Sequence, residues 1–167
     1  MAGSEHSGYS YSTDTLLRGA VYVVTPTPSS PKEKISEMCD IIKELEAIPV
    51  IMDCKEHDYA VAGISHVPHL ASAALAMMVH DNDDSDKHMH TLAAGGFKDT
   101  TRIAASSPEM WEQICVSNKD AISSLLDKYI EELETIRTHL KSDSDSECSK
   151  YIKNLFNTAG NYRSTFK

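Results

Sequence analysis

HDYAVAGISHVPHLASAALAMMV, residues 57–79, is the stretch that decides the fold. Its apolar residues Ala60, Ile64, Val67, Leu70, Ala71, Ala74, Leu75 and Met78 recur at steps of three and four. That is the period of a helix with a wide apolar face, and it predicts the central helix of the domain. Small residues between the large ones let neighbouring helices approach closely. Pro68 has no backbone N–H to donate, so a kink or break is predicted beside His66 and His69. The two imidazoles share a helix face. They suit acid–base work or substrate binding near neutral pH; the other reading is a pair of core histidines bonded to backbone.

Upstream, residues 1–19 have the Gly, Ser and Tyr content of a loop, with one short helical turn predicted around Asp14 to Leu17. Ala20 to Thr25 is β-branched and aromatic and reads as a strand that Pro26 and Pro28 stop. Ser29 or Ser30 is predicted to cap a helix with Pro31 at its first position. Ile35, Met38, Ile41, Ile42 and Leu45 form its apolar stripe. Pro49 to Asp53 is a second short strand. Strand, helix, strand at this length predicts a crossover unit in a parallel or mixed sheet. Two strands alone are marginal and want partners.

Downstream the pattern is helical. His80 to His90 is a polar connection rich in His and Asp. It fails as a calcium loop: counted from Asp81, the glycine and the closing glutamate are replaced by Asp86 and Leu92. A solvated loop is expected there in preference to a metal-binding loop, and no residue is assigned as a metal ligand. Gly95-Gly96-Phe97 reads as a flexible turn before a helical stretch from Lys98 to Ala105. Lys98 and Arg102 fall on adjacent turns of one face, a small anion site in an acidic chain, or else cations paired with nearby acids. Arg can grip a carboxylate with two parallel bonds. Ser107-Pro108-Glu109 is a helix start, and that helix carries Trp111, the single tryptophan. Tryptophan there is core or the wall of a ring-shaped ligand's pocket. From Ser117 to Lys141, Ile122, Leu126, Tyr129, Leu133, Ile136 and Leu140 alternate steps of four and three. This seam predicts packing against the central helix or a hairpin shared by two subunits. A polar break at 142–146, a last helix from about Glu147 to Thr158 and a tail from Ala159 complete the chain.

The 167 residues are 41% hydrophobic and 25% charged, ordinary for a soluble globular domain. The net charge of −9 argues against nucleic acid, whose phosphates want a basic surface. No apolar run reaches the roughly 20 residues that span a bilayer, and no membrane partner is expected. The start of the chain has neither the basic nor the apolar region of a signal peptide. The four cysteines, Cys39, Cys54, Cys115 and Cys148, are far apart and read as free thiols of a reducing cytoplasm. No glycine-rich dinucleotide fingerprint, phosphate-binding loop, HExxH or GxSxG occurs. The residues by themselves therefore show no cofactor-binding or nucleophile motif.

Five segments together resemble the C-terminal part of the prephenate dehydrogenase family. They are MAGSEHSGY at 1–9, YVVTPTP at 22–28, EHDYAVAGISHVPHLASAALA at 56–76, GGFKDTTRIAASSPEMW at 95–111, and Asn118 soon after. The resemblance implies a mainly α fold: a multi-helix dimerisation domain of the 6-phosphogluconate-dehydrogenase-like C-terminal type, residues 54–167. Before it, residues 1–53 would be the strand-helix-strand remnant of a Rossmann domain. It implies an NAD- or NADP-dependent oxidoreductase of tyrosine biosynthesis, which decarboxylates prephenate oxidatively to 4-hydroxyphenylpyruvate in the cytoplasm. By resemblance His69 contacts substrate, Arg102 holds a substrate carboxylate, and Gly95 and Trp111 line the pocket. His66 and Lys98 support them, and Glu5 falls in the loop beside the catalytic histidine. That histidine and the cofactor fingerprint are expected upstream of Met1. The chain alone is thus expected to be inactive and to bind no dinucleotide. Its expected partners are a second copy through the helical domain, a Rossmann half, and prephenate or 4-hydroxyphenylpyruvate. The competing reading is a stand-alone helical dimerisation or aromatic-ligand-sensing module without catalysis.

Overall fold

The computed structural model describes residues 8–166, so Glu5 lies outside the described residues. The chain divides into two compact units, one reaching Ile122 and one starting at Ser123.

In the first unit, β1 (Val21–Val24) and β2 (Ile48–Ile51) pair in parallel, with Val21 opposite Ile48 and Val24 opposite Ile51. Helix α1 (Lys32–Glu44) makes the crossover between them. This is the predicted unit, because parallel strands need a covered connection of about a dozen residues. Pro31 is the N-cap rather than the first helical residue, and no serine side chain caps α1. Only part of the expected stripe is inward. Ile42 is fully buried, whereas Met38, Ile41 and Leu45 are exposed, since two strands are too few to cover them.

Asp53 then starts the long helical run. Its carboxylate accepts the Lys55 N–H, and Glu56 reaches back to the Asp53 N–H, a reciprocal cap for α2 (Cys54–Val61). A π-helical segment, Ala62–His66, follows and leads without a break into α3 (Val67–Asn82). Here the expected kink takes a specific form. Pro68 falls just after the change from π to α winding, inside a continuous helix. The wider turn before it carries the preceding carbonyls away from its ring.

Ala62, Ser65, Val67 and Ser72 are the buried residues of this run. Leu70, Ala71 and Leu75 are half-buried, but Ala60, Ile64, Ala74 and Met78 are exposed, and Ile64 is 74% exposed. The extra residue in the π turn shifts the phase of the stripe, so a single period misplaces its members. The continuous run Cys54–Asn82 is also long and apolar enough, by length and composition, to cross a membrane. This corrects the reading that no segment is. The histidines and Pro68 interrupt the apolar letters, but they do not interrupt the helix.

The connection after α3 is shorter than expected, because α3 extends to Asn82 and α4 (His88–Leu92) follows after only five residues. The Asp83 carboxylate accepts the Met89 and His90 N–H groups at the start of α4. Gly95-Gly96-Phe97 is likewise no turn. It forms the first turn of α5 (Gly95–Thr101), which tightens into a 3-10 segment at Arg102–Ala105. Helix α6 (Pro108–Ser117) starts as read: Ser107 Oγ accepts the Met110 N–H and Pro108 holds the first position.

Helix α7 (Lys119–Leu140) begins in the first unit and leads into the second, which it forms with α8 (Asp145–Arg163). Ser144 caps α8, which is longer at both ends than its sequence pattern predicts. His139 and Tyr151 stack across the two helices with centroids 3.7 Å apart. Of the α7 seam, Ile122 is buried, but Tyr129, Leu133 and Leu140 are exposed.

Candidate substrate pocket

The π segment and α3 deliver two imidazoles to one indole. His69 stacks on Trp111 with centroids 4.0 Å apart and planes 26° apart. His66 meets the same ring edge-on at 6.0 Å. Trp111 is placed by the Ser107–Pro108 helix start, which sets α6 against α3. The stack walls a cavity of ≈ 240 Å³ lined by His69, Leu70, Ala73, Ile103, Ala104, Ser106, Pro108 and Trp111. A space of this size, mostly apolar with an aromatic wall, suits a single six-membered ring.

Each imidazole is oriented by its bonding partner. His69 Nδ1 lies 2.8 Å from the Ser65 carbonyl oxygen, which can only accept. Nδ1 therefore carries the proton. His66 Nδ1 lies 3.3 Å from Asn118 Nδ2, and the same amide nitrogen donates to the Asp58 carbonyl at 2.8 Å. The His66 pKa is pushed below its ordinary value of 6.5, first by burial and then by His69. The Trp111 Nε1–H is buried and has no acceptor among the described residues.

The cationic side is arranged differently. Ser72 Oγ donates to the Thr100 carbonyl at 2.9 Å and fixes the end of α5 to α3. Arg102 follows at the start of the 3-10 segment, and the next two residues line the cavity. Its own side chain is exposed and is not among the lining groups, and the same is true of Lys98 and Gly95. A Cβ at Gly95 would meet only Asp99 Oδ2, at 3.9 Å. Space within the chain therefore does not demand glycine there. Of the six residues proposed from sequence, His66, His69 and Trp111 are brought together. Gly95 and Lys98 on α5 and Arg102 just after it lie outside the lining, as does His66 behind Trp111. Sequence reasoning missed Ile103, Ala104 and Ser106, which follow Arg102 directly, and gave Asn118 no role. Among the described residues no three His, Cys, Asp or Glu converge as a metal site.

The sequence model of one family, described as "Prephenate dehydrogenase, dimerization domain", matches residues 53–154. The chain belongs to the prephenate dehydrogenase family. It is 36% identical over 163 residues to a prephenate dehydrogenase of Bacillus subtilis, across 98% of this chain and 43% of that protein. The solved prephenate dehydrogenase of Aquifex aeolicus, in complex with hydroxyphenyl propionate and NAD+, superposes with a TM-score of 0.87 at 27% identity. That match covers 97% of this chain and 57% of the Aquifex chain. A Synechocystis arogenate dehydrogenase superposes at 0.78 with 28% identity, across 89% of this chain and 54% of that one. The chain thus spans about half the length of the prephenate dehydrogenases it matches.

Proposed function

We propose that this chain supplies the substrate-binding and dimer-forming half of a cytoplasmic prephenate dehydrogenase. Residues 1–53 would complete a Rossmann domain, and residues 54–167 would form the helical domain. The observation that carries the reading is the His69–Trp111 stack walling a ring-sized cavity beside the turn that starts with Arg102. Prephenate is a ring bearing two carboxylates. The indole and imidazole faces take the ring, and Arg102 with Lys98 takes a carboxylate through charge-assisted bonds. Gly95 starts the helix that leads into that turn. His66 stays uncharged beside the ring, so positive charge gathers at the carboxylate end. NAD or NADP, bound by a glycine-rich half that this sequence does not contain, would accept the hydride. The chain's own part is to hold the ring in register for that transfer. Exposed apolar residues on the helical domain, Ile64 and Leu133 among them, support a homodimer.

The test is calorimetry with 4-hydroxyphenylpyruvate. Arg102→Ala should weaken binding about tenfold or more, the effect of losing one charge-assisted pair. His69→Ala should weaken it too, while Lys32→Ala on α1 should leave it unchanged. Equal affinity for all four proteins would sink the proposal. Turnover of prephenate should appear only when a dinucleotide-binding half is supplied.

A further inference from the structure

We infer that Asn118 is a positioning residue that fixes His66 as its Nε2–H tautomer beside a His69 fixed as Nδ1–H, so that the pair offers one donor and one acceptor nitrogen.

The inference runs from backbone to side chain. The Asp58 carbonyl can only accept, so the group 2.8 Å from it must be the NH2 end of the Asn118 amide. The second hydrogen of that NH2 is then free for His66 Nδ1, 3.3 Å away. A nitrogen that accepts carries no proton, so the His66 proton sits on Nε2. The Ser65 carbonyl forces the reverse on His69, whose Nε2 keeps its lone pair. Two carbonyls of one helical run thus set two neighbouring imidazoles in opposite states. Asp58 belongs to α2 and Ser65 to the π turn, while Asn118 ends α6 and reaches across to both His66 and Asp58. Protonating His66 would aim a second N–H at the amide hydrogens, so the clamp also opposes charge on the pair. The titratable groups facing His66 are His69 and His57, which disfavour its charge, and Asp58, which favours it.

What the pair is for rests on the substrate-pocket reading; the tautomers themselves do not. A unique donor and a unique acceptor discriminate among ring substituents in a way that two rotating neutral imidazoles cannot. A hydroxyl satisfies both, whereas an ether leaves one unpaired and a methyl leaves both.

The experiment is long-range 1H–15N spectroscopy of the imidazoles in the full chain, titrated with pH. In the unsubstituted chain the expected result is His66 as Nε2–H and His69 as Nδ1–H at pH 7.5. Asn118→Asp presents an acceptor to Nδ1. It should turn His66 to Nδ1–H and raise its midpoint by about one pH unit or more. Asn118→Leu should raise the midpoint without imposing the other tautomer, and it serves if the Asp variant does not fold. His66 found as Nδ1–H in the unsubstituted chain, or a midpoint unmoved by Asn118→Leu, would overturn the inference. Adding 4-hydroxyphenylpropionate separates the two readings. Correct tautomers with unmoved His69 signals leave the clamp standing and remove the pocket. Shifted His69 signals with the wrong tautomers do the reverse.

Discussion

Trp111 carries two roles that a substitution can separate. Its ring packs on His69, and its buried N–H lacks an acceptor among the described residues. Leaving such a donor unsatisfied costs about 1–3 kcal/mol, while an aromatic stack contributes about 0.5–1.5. Trp111→Phe keeps a stack and removes the orphan, so urea denaturation should show a change within about 1 kcal/mol. Trp111→Ala removes the stack and opens the cavity wall, and should cost about 2 kcal/mol or more. A Phe variant as damaged as the Ala variant would show that the N–H has a partner. His66 gives a pH prediction at the same scale. Its folded pKa lies below the unfolded value of 6.5, so the unfolded chain binds more protons on the acid side. Its contribution is full above pH 6.5 and is lost as pH falls through the lower folded pKa. His66→Gln should flatten that acid-side slope in denaturation curves measured from pH 7.5 down to 5.

The start of α6 was legible, because Ser107 and Pro108 write it in side chains within four residues. The start of α1 was not, since no serine side chain caps it, and Asp53, which the sequence reading put at the end of a strand, instead caps α2 with Glu56. Asp53→Ala should therefore cost about 1 kcal/mol, read from thermal unfolding. The π turn was legible only as a disturbance near Pro68. Its extra residue comes from how the run packs, and no local pattern records it. Gly95 and Gly96 misled because glycine marks a turn in isolation, yet here both lie in the first turn of α5, whose far end Ser72 of α3 holds. Ser72→Ala should cost about 1 kcal/mol. It should also weaken 4-hydroxyphenylpyruvate binding, since the turn that begins with Arg102 loses its tie to α3. Unchanged affinity would mean that α5 is held by packing alone.

At the scale of the whole chain, the family was legible because SHVPH and GGFKDTTRIAASSPEMW are specific strings. The cationic half of the site was less so. Sequence spacing puts Lys98 and Arg102 on one face, but it cannot say that this face lies outside the cavity lining. The few buried apolar residues, among them Ile42, Ala47, Ala62, Val67 and Ile122, contrast with many exposed ones. Light scattering at micromolar concentration should give the mass of a dimer, and Ile64→Asp or Leu133→Asp should shift it toward the monomer. A monomeric unsubstituted chain would remove the homodimer from the proposal.

The π turn has a genetic consequence. One residue in that stretch is surplus to an ordinary helix, so excising Gly63 should yield a regular rod. The wide turn winds its extra residue into about the same rotation as an ordinary turn, so the helices on either side of the cut would keep their relative orientation. The Asp58 carbonyl would stay near its amide and His69 would keep its indole. A one-codon deletion there should therefore leave a protein that still melts cooperatively.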